Sequence, residues 1–140
     1  MWATARGWLA AIWGAWLPIL SYLIGGFDAL VEVLLLLMAL DYLTGLAVGF
    51  KQKTLNSQRG YKGLRKKVMI MAILCAAAQF NRIVPGIDFR SMVGMFYSTM
   101  EILSIAENLG KLGLIIPPKL KRALEQLQED QVKGKQDNDR

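Results

Sequence analysis

The sequence predicts an all-α integral membrane protein, with three or four transmembrane helices in a small bundle and a short amphipathic helix after them. Apolar residues make up 54% of the chain and come in long runs. No charge lies between Arg6 and Asp28, and Asp41 alone interrupts the span from Glu32 to Lys51. About 20 apolar helical residues cross ~30 Å of hydrocarbon, whereas a soluble bundle shows a polar face on each helix.

Four apolar segments follow one another, at about residues 8–24, 29–50, 68–83 and 89–109. Glycine-containing turns, GGFD and VPGID, separate the first from the second and the third from the fourth. Tryptophan prefers the membrane interface and Pro18 interrupts the first segment, so this segment either spans the membrane or lies along its surface. The N-terminus imitates a signal peptide without a good cleavage site, so we predict that it is retained.

A basic stretch without acidic residues occupies positions 51–67. Its seven basic residues are Lys51, Lys53, Arg59, Lys62, Arg65, Lys66 and Lys67. Between two apolar runs, such a stretch is predicted to be a cytoplasmic loop that fixes the topology and binds anionic lipid headgroups. A nucleic-acid surface is the weaker interpretation, and no nucleic-acid partner is predicted.

The chain beyond the fourth segment is predicted to be cytoplasmic. Two prolines in GLIIPPKL suit the start of a new helix, which would place Leu120, Leu124 and Leu127 on one face. The tail VKGKQDNDR has no core-forming residue and is predicted to be disordered. The chain therefore divides into a transmembrane domain, 1–110, and a cytoplasmic amphipathic helix with a charged tail, 111–140.

Composition argues against an enzyme. One cysteine and no histidine exclude a disulfide within the chain, a histidine-ligated metal site and a Ser-His-Asp centre. The sequence has no glycine-rich phosphate-binding motif. We therefore predict no catalytic residues, no metal and no cofactor.

Three motifs in a fixed order carry a resemblance to a known family. DYLTG (41–45) lies near the end of the second segment, GYKGLRKK (60–67) leads into the third, and EILSIAENLGKLGLIIPPKLKRALEQL (101–127) joins the fourth to the tail. Across about residues 20–127, this set resembles the toxin secretion/phage lysis holin family.

The resemblance implies a small phage-encoded protein of the bacterial inner membrane. Such proteins form homo-oligomers that open non-specific holes, which release an endolysin or a toxin without binding it directly and so time host lysis. Two alternatives stay open from the residues alone: a small membrane scaffold or accessory subunit, and a narrow ion-conducting protein.

Polar residues and one glycine recur along one face of the fourth segment. At ~100° per residue they lie within about 40° of one line; they are Arg90, Gly94, Tyr97, Glu101, Ser104 and Asn108. This stripe is either a seam satisfied inside the monomer's own bundle or a surface that lines water after oligomerisation.

Two carboxylates lie within the apolar segments. Asp41 and Glu101 each precede a lysine, Lys51 and Lys111, by about ten residues, so both are predicted at similar depth with no lysine or arginine at that level. An unpaired acid in the membrane indicates function, although a structural hydrogen bond between helices is the alternative. The candidate lumen or assembly residues are Asp41, Tyr97, Glu101, Ser104 and Asn108.

Small residues are predicted to bring helices together. Gly45 and Gly49 form a GxxxG pattern, and Ala72, Cys75 and Ala76 form a small face on the third segment. A structural ion pair is predicted at the outer ends of the helices. Its acid is Asp28 or Glu32 of the second segment, and its base is Arg82 or Arg90.

Overall fold

The computed structural model describes residues 14–54, 56–123, 125–126 and 129. Within these residues the protein is helical and has no strand, which confirms the all-α prediction. The helices are α1 (Gly14–Ile24), α2 (Ala29–Lys51), α3 (Ser57–Phe80) and α4 (Phe89–Leu112), followed by a helical stretch at 118–123. The predicted start of the first segment, the side chains of Leu124 and Leu127, and the predicted disordered tail lie outside the described residues.

Helix α2 forms where the sequence predicts the second segment. Asp28 is its N-cap, because the Asp28 carboxylate accepts a hydrogen bond from the Val31 amide at 3.2 Å, and the cationic Lys51 in its last turn favours the helix dipole. Of the described helices, α2 is the one with the length and apolar composition to cross a membrane. The predicted total of three or four spans therefore stays a prediction.

Helix α3 begins eleven residues earlier than a loop at 51–67 would allow. The structure starts α3 at Ser57 and ends it at Phe80, so the predicted loop is wrong for residues 57–67 and the predicted third segment, 68–83, is displaced. Lysine, arginine and glutamine favour helix, and positive charge alone does not distinguish a loop from a charged helical turn.

Helix α4 starts at the predicted residue and runs three residues beyond the predicted end. The Asp88 carboxylate caps it by accepting from the Ser91 amide at 3.0 Å, and Asn81 ties the preceding turn by donating to Asp88 at 2.7 Å. At the other end, Gly113 adopts φ 105°, a left-handed conformation that suits glycine and closes the helix.

The bundle has a thin apolar core and an apolar outside. Helix α4 packs mainly on α2 and also on α3, whereas α2 and α3 touch over a short stretch. The core residues are Ile24, Val31, Leu34, Met38, Ile70 and Leu74. Large apolar side chains such as Leu36, Leu43 and Phe50 are exposed on α2. A contiguous apolar outside of this kind is typical of a surface that meets lipid or another protein.

Gly94 marks a close approach between α4 and α2. A Cβ atom at Gly94 would lie 2.7 Å from Leu30 Cδ2 and 2.9 Å from Leu30 Cγ. We expect Gly94→Ala to lower the free energy of unfolding by about 1–3 kcal/mol, since overpacking forces the two helices apart.

Thermal unfolding in detergent measures this effect. Gly110→Ala, on the same helix, is the matched control, because its Cβ would meet only Ile116 at 3.9 Å. Leu30→Ala should restore much of the stability that Gly94→Ala loses. A Gly94→Ala variant as stable as Gly110→Ala would contradict the packing described.

Candidate functional site

A lysine of α3 bridges two carboxylates from the other two long helices. Lys67 Nζ lies 2.8 Å from Asp41 Oδ2 on α2 and 2.5 Å from Glu101 Oε2 on α4. The Glu101 side chain is 0% exposed, that of Lys67 11% and that of Asp41 14%. These three residues, together with Lys66, are called the charge cluster below.

The charge cluster corrects the prediction that no lysine or arginine lies at the depth of the two acids. That prediction placed Lys67 in a loop outside the membrane. In the structure Lys67 is the eleventh residue of α3, and the helix carries it back to the level of Asp41, ten residues before the end of α2. The predicted proximity in depth of Asp41 and Glu101 is nevertheless confirmed, since one ammonium group binds both.

Lys66 balances the formal charge of the cluster. Its Nζ lies 3.3 Å from Glu101 Oε1, and its side chain is 48% exposed. This contact is ionic rather than a hydrogen bond, because Glu101 Oε1 accepts no hydrogen bond from the described residues. Two carboxylates and two ammonium groups sum to zero charge, and such pairing is what makes buried ions tolerable in a low-dielectric interior.

Asn108 extends the cluster with neutral hydrogen bonds between α4 and α2. Its Nδ2 donates to Asp41 Oδ1 at 3.3 Å and to Thr44 Oγ1 at 3.2 Å. Thr44 itself donates to the Leu40 and Asp41 carbonyls of its own helix. A Cβ at Gly45 would lie 3.7 Å from Asn108 Nδ2, an ordinary van der Waals distance, so Gly45 lies next to this amide.

Tyr42 fills the space between α2 and α3 beside the cluster. A Cβ at Gly63 would lie 3.6 Å from Tyr42 Cδ2, and one at Gly60 would lie 3.4 Å from the Tyr42 hydroxyl. The two glycines of GYKG therefore form a flat surface for the tyrosine of DYLTG. No pattern within either motif predicts this contact between them.

The Lys51 side chain caps the C-terminal end of α4. Its Nζ donates to the Leu112 carbonyl at 2.9 Å and to the Lys111 carbonyl at 3.2 Å. These are carbonyls that the last turn of a helix leaves without partners, and a cation also favours the negative end of the dipole. Lys51 and Lys67 thus make contacts within the protein, and the headgroup role predicted for them stays a prediction.

The polar stripe of α4 faces the interior of the single chain. Arg90, Gly94 and Glu101 are buried, Tyr97 packs against the core, and Ser104 and Asn108 are half-buried. This placement favours the interpretation of a seam inside the bundle for the isolated chain. The role of the five candidate residues in an assembly stays a prediction.

The predicted packing residues divide into two groups. Gly45 faces α4 and Gly49 is buried, whereas Ala72 and Ala76 are exposed. The buried small residues of α3 near its C-terminus are Ala77 and Ala78. The packing role predicted for Ala72 and Ala76 therefore stays a prediction.

An arginine joins the end of α1 to the first residues of α2 and α4, and its pairing with an acid of the second segment was predicted. Arg90 binds Asp28 through two hydrogen bonds, at 2.7 and 3.0 Å, and also donates to the Ile24 carbonyl at 2.6 Å. Arg82 instead donates to the Tyr22 carbonyl and lies 3.7 Å from the centre of the Tyr22 ring. Arg90 of α4 and Arg82 of the turn before it thus bind carbonyls at the C-terminal end of α1.

The hydrogen bonds from Arg90 lower the pKa of Asp28 from 3.8 to about 2. The charged pair therefore contributes stability above pH 4, and this contribution is lost as the pH falls toward 2. Because the Asp28 side chain is half exposed, we expect a small effect. In detergent, the melting temperature of the protein should exceed that of Asp28→Asn at pH 6, and the difference should shrink by pH 2. Asparagine caps a helix as well as aspartate does, so a constant difference would contradict the role of charge.

The three sequence motifs meet at the charge cluster. DYLTG supplies Asp41 and Tyr42, GYKGLRKK supplies Lys66 and Lys67, and the long C-terminal motif supplies Glu101 with its neighbours. A helical bundle with an apolar outside, a potential membrane-spanning helix and a neutralised ionic centre defines a small helical membrane protein.

Comparison with known proteins identifies the family. The sequence matches the bacteriophage holin family over residues 18–129, and the chain belongs to that family. A probable holin of Bacillus phage phi105 is 30% identical over 112 residues, which cover 79% of this chain and 82% of the relative.

Bacterial relatives are also similar. An uncharacterized 14.9 kDa protein of Clostridium perfringens is 39% identical over 76% of this chain and 83% of its own length. An uncharacterized protein of Halalkalibacterium halodurans is 33% identical over 90% of this chain and 96% of its own. No solved structure matches the chain.

Proposed function

We propose that this chain is a working holin of the bacterial cytoplasmic membrane. It oligomerises into non-specific holes through which an endolysin, or a secreted toxin, leaves the cell, and the moment of opening times lysis. Family membership and the probable holin of phage phi105 support the proposal. The single structural observation that carries it is the charge cluster, an ionic centre held inside a bundle with an apolar surface.

In the proposed resting state, the charge cluster fastens α3 to the other two helices. Helices α2 and α4 pack extensively on each other, whereas α3 touches α2 over a short stretch. Separation of α3 in lipid would leave Asp41 and Glu101 as uncompensated ions, which is strongly unfavourable. Separation in contact with water carries a much smaller penalty, because the ions become hydrated.

Hole formation is then proposed to couple separation of α3 to the entry of water. When copies assemble and α3 moves, the polar stripe of α4 and the facing acid of α2 come to line the lumen. The lumen residues proposed are Asp41, Tyr97, Glu101, Ser104 and Asn108. Cooperative assembly follows from this coupling, since one chain alone cannot enclose water.

The proposed protein is multi-pass, with the connection between α2 and α3, where the basic stretch begins, and residues 111–140 on the cytoplasmic side. The positive charge of 51–67 supports this orientation. Lys53, Lys62, Arg65 and Lys66 are exposed, and the Arg59 side chain lies outside the described part of the chain. Anionic lipid headgroups are proposed as ligands of the exposed basic residues nearest the membrane surface.

Expression in bacteria together with a cytoplasmic endolysin tests the function. We expect abrupt lysis at a fixed time, because holes of this kind pass a folded enzyme. The chain alone should stop growth at that time without clearing the culture, and the endolysin alone should do neither. Slow growth inhibition without lysis, with endolysin present, would contradict the holin and support a narrow ion conductor.

A further inference from the structure

Two exposed basic residues of α3 lie beside the apolar middle of α2. The contacts of Tyr42 set the register of the two helices: a Cβ at Gly63 would lie 3.6 Å from Tyr42 Cδ2. Lys62 and Arg65 flank Gly63 and are exposed. They are therefore level with the part of α2 that precedes Lys51 by about nine to eleven residues.

This level is deep if α2 crosses the membrane. Nine residues of helix rise ~14 Å, and the 23 residues of α2 rise ~35 Å, so Arg65 lies close to the midpoint. At the same depth α2 exposes Leu40 and Leu43. The two helices thus present opposite chemistry at one level, apolar on α2 and cationic on α3.

Neither charge is neutralised by the part of the chain that the structure describes. The ion pairs of that part involve Lys66, Lys67, Arg90 and Lys121, and neither Lys62 nor Arg65 is among them. The apolar part of α3, residues 68–80, rises only ~20 Å against ~30 Å of hydrocarbon. Exposed cations at this depth are costly in lipid and are found where a water-filled cavity or a partner receives them.

We propose that the outer face of α3 around Lys62 and Arg65 forms the wall of a water-filled passage in the cytoplasmic half of the hole, and that this wall favours anionic solutes. The inference rests on the proposed function and adds a second surface to the lumen, distinct from the α4 stripe. Repetition of the same two cations in every copy gives the wall a positive potential, which attracts anions that come within the screening length of about 10 Å. No acidic residue lies between positions 51 and 67 to oppose it.

Thiol accessibility in assembled membranes tests the passage. In the full chain with Cys75→Ala, Arg65→Cys and Lys62→Cys are compared with Leu43→Cys, whose native side chain is 60% exposed on α2 and lies nearer the membrane surface than Arg65. Inverted vesicles receive a membrane-impermeant methanethiosulfonate carrying either a sulfonate or a trimethylammonium group. We expect both α3 cysteines to react and Leu43→Cys to stay unreactive. Each rate is divided by the rate of the same reagent with a free thiol in solution. On this scale the sulfonate reagent should react about tenfold faster than the cationic reagent.

The same variants are assayed for lysis with endolysin, which separates the two proposals. If the wild-type chain lyses cells but both α3 cysteines react no faster than Leu43→Cys, the passage is refuted and the holin function stands. Equal or faster reaction with the cationic reagent refutes the preference for anions. A wild-type chain that does not lyse cells refutes the proposed function itself.

Discussion

Lys67→Met should bring lysis forward and make the isolated protein less stable. Methionine keeps the length of the side chain but leaves Asp41 and Glu101 without the ammonium group that lies between them. Removing one partner of a buried ion pair typically costs about 3–5 kcal/mol. The resting bundle would lose the contact that fastens α3, so fewer copies would be needed before α3 separates.

The time of lysis with a cytoplasmic endolysin and the melting temperature in detergent measure this effect together. Lys119→Met removes the same charge from an exposed position and serves as the control. Adding Asp41→Asn and Glu101→Gln to Lys67→Met should restore the melting temperature, because no buried ion is then left unpaired. Lysis by Lys67→Met on the wild-type schedule, with unchanged stability, would contradict the fastening role.

Glu101→Leu should act in the opposite direction, with late lysis or none at normal protein levels. Lys67 keeps Asp41 as its partner and the half-exposed Lys66 turns to water, so the resting bundle stays closed. The open state loses a carboxylate that water would hydrate, and the hydration of a buried ion is worth several kcal/mol. The balance therefore moves toward the resting state in every subunit.

Glu101→Gln should be intermediate, since the amide keeps hydrogen-bonding capacity without charge. Ile102→Leu, one position further along the helix and partly exposed, should be nearly silent. Membrane content measured by immunoblot separates late opening from poor accumulation. Timely lysis by Glu101→Leu through holes of normal size would mean that the α4 stripe is only a packing seam.

Local sequence patterns predicted the parts of the fold that depend on local chemistry. The bounds of α2 follow from a long, predominantly apolar run with an aspartate cap. The inward face of α4 follows from the period of its polar residues. The pairing of Asp28 with Arg90 was also predictable, because both residues flank turns at the same end of the bundle.

The charge cluster depends on register between helices, which no local pattern contains. A basic run was interpreted as a loop, although lysine and arginine also favour helix. The turn between α2 and α3 spans only residues 52–56. Asp41 lies ten residues before the end of α2, and Lys67 lies ten residues after the start of α3. Two antiparallel helices joined by this turn therefore bring the two residues to the same level. The contact of Tyr42 with Gly60 and Gly63 is not predictable in this way, since two nearby glycines occur in sequences for many reasons.

A reversible link between α2 and α3 tests the central claim that α3 must separate for a hole to open. In the full chain with Cys75→Ala, Tyr42→Cys and Gly63→Cys place two thiols where a Cβ at Gly63 approaches the tyrosine ring at 3.6 Å. The protein is reconstituted into vesicles that hold a trapped enzyme, and a mobility shift verifies the disulfide. We expect oxidised vesicles to retain the enzyme and dithiothreitol to release it, while Cys75→Ala alone releases it under both conditions. Equal release from oxidised and reduced vesicles would show that holes form with α3 still fastened, and would contradict the mechanism.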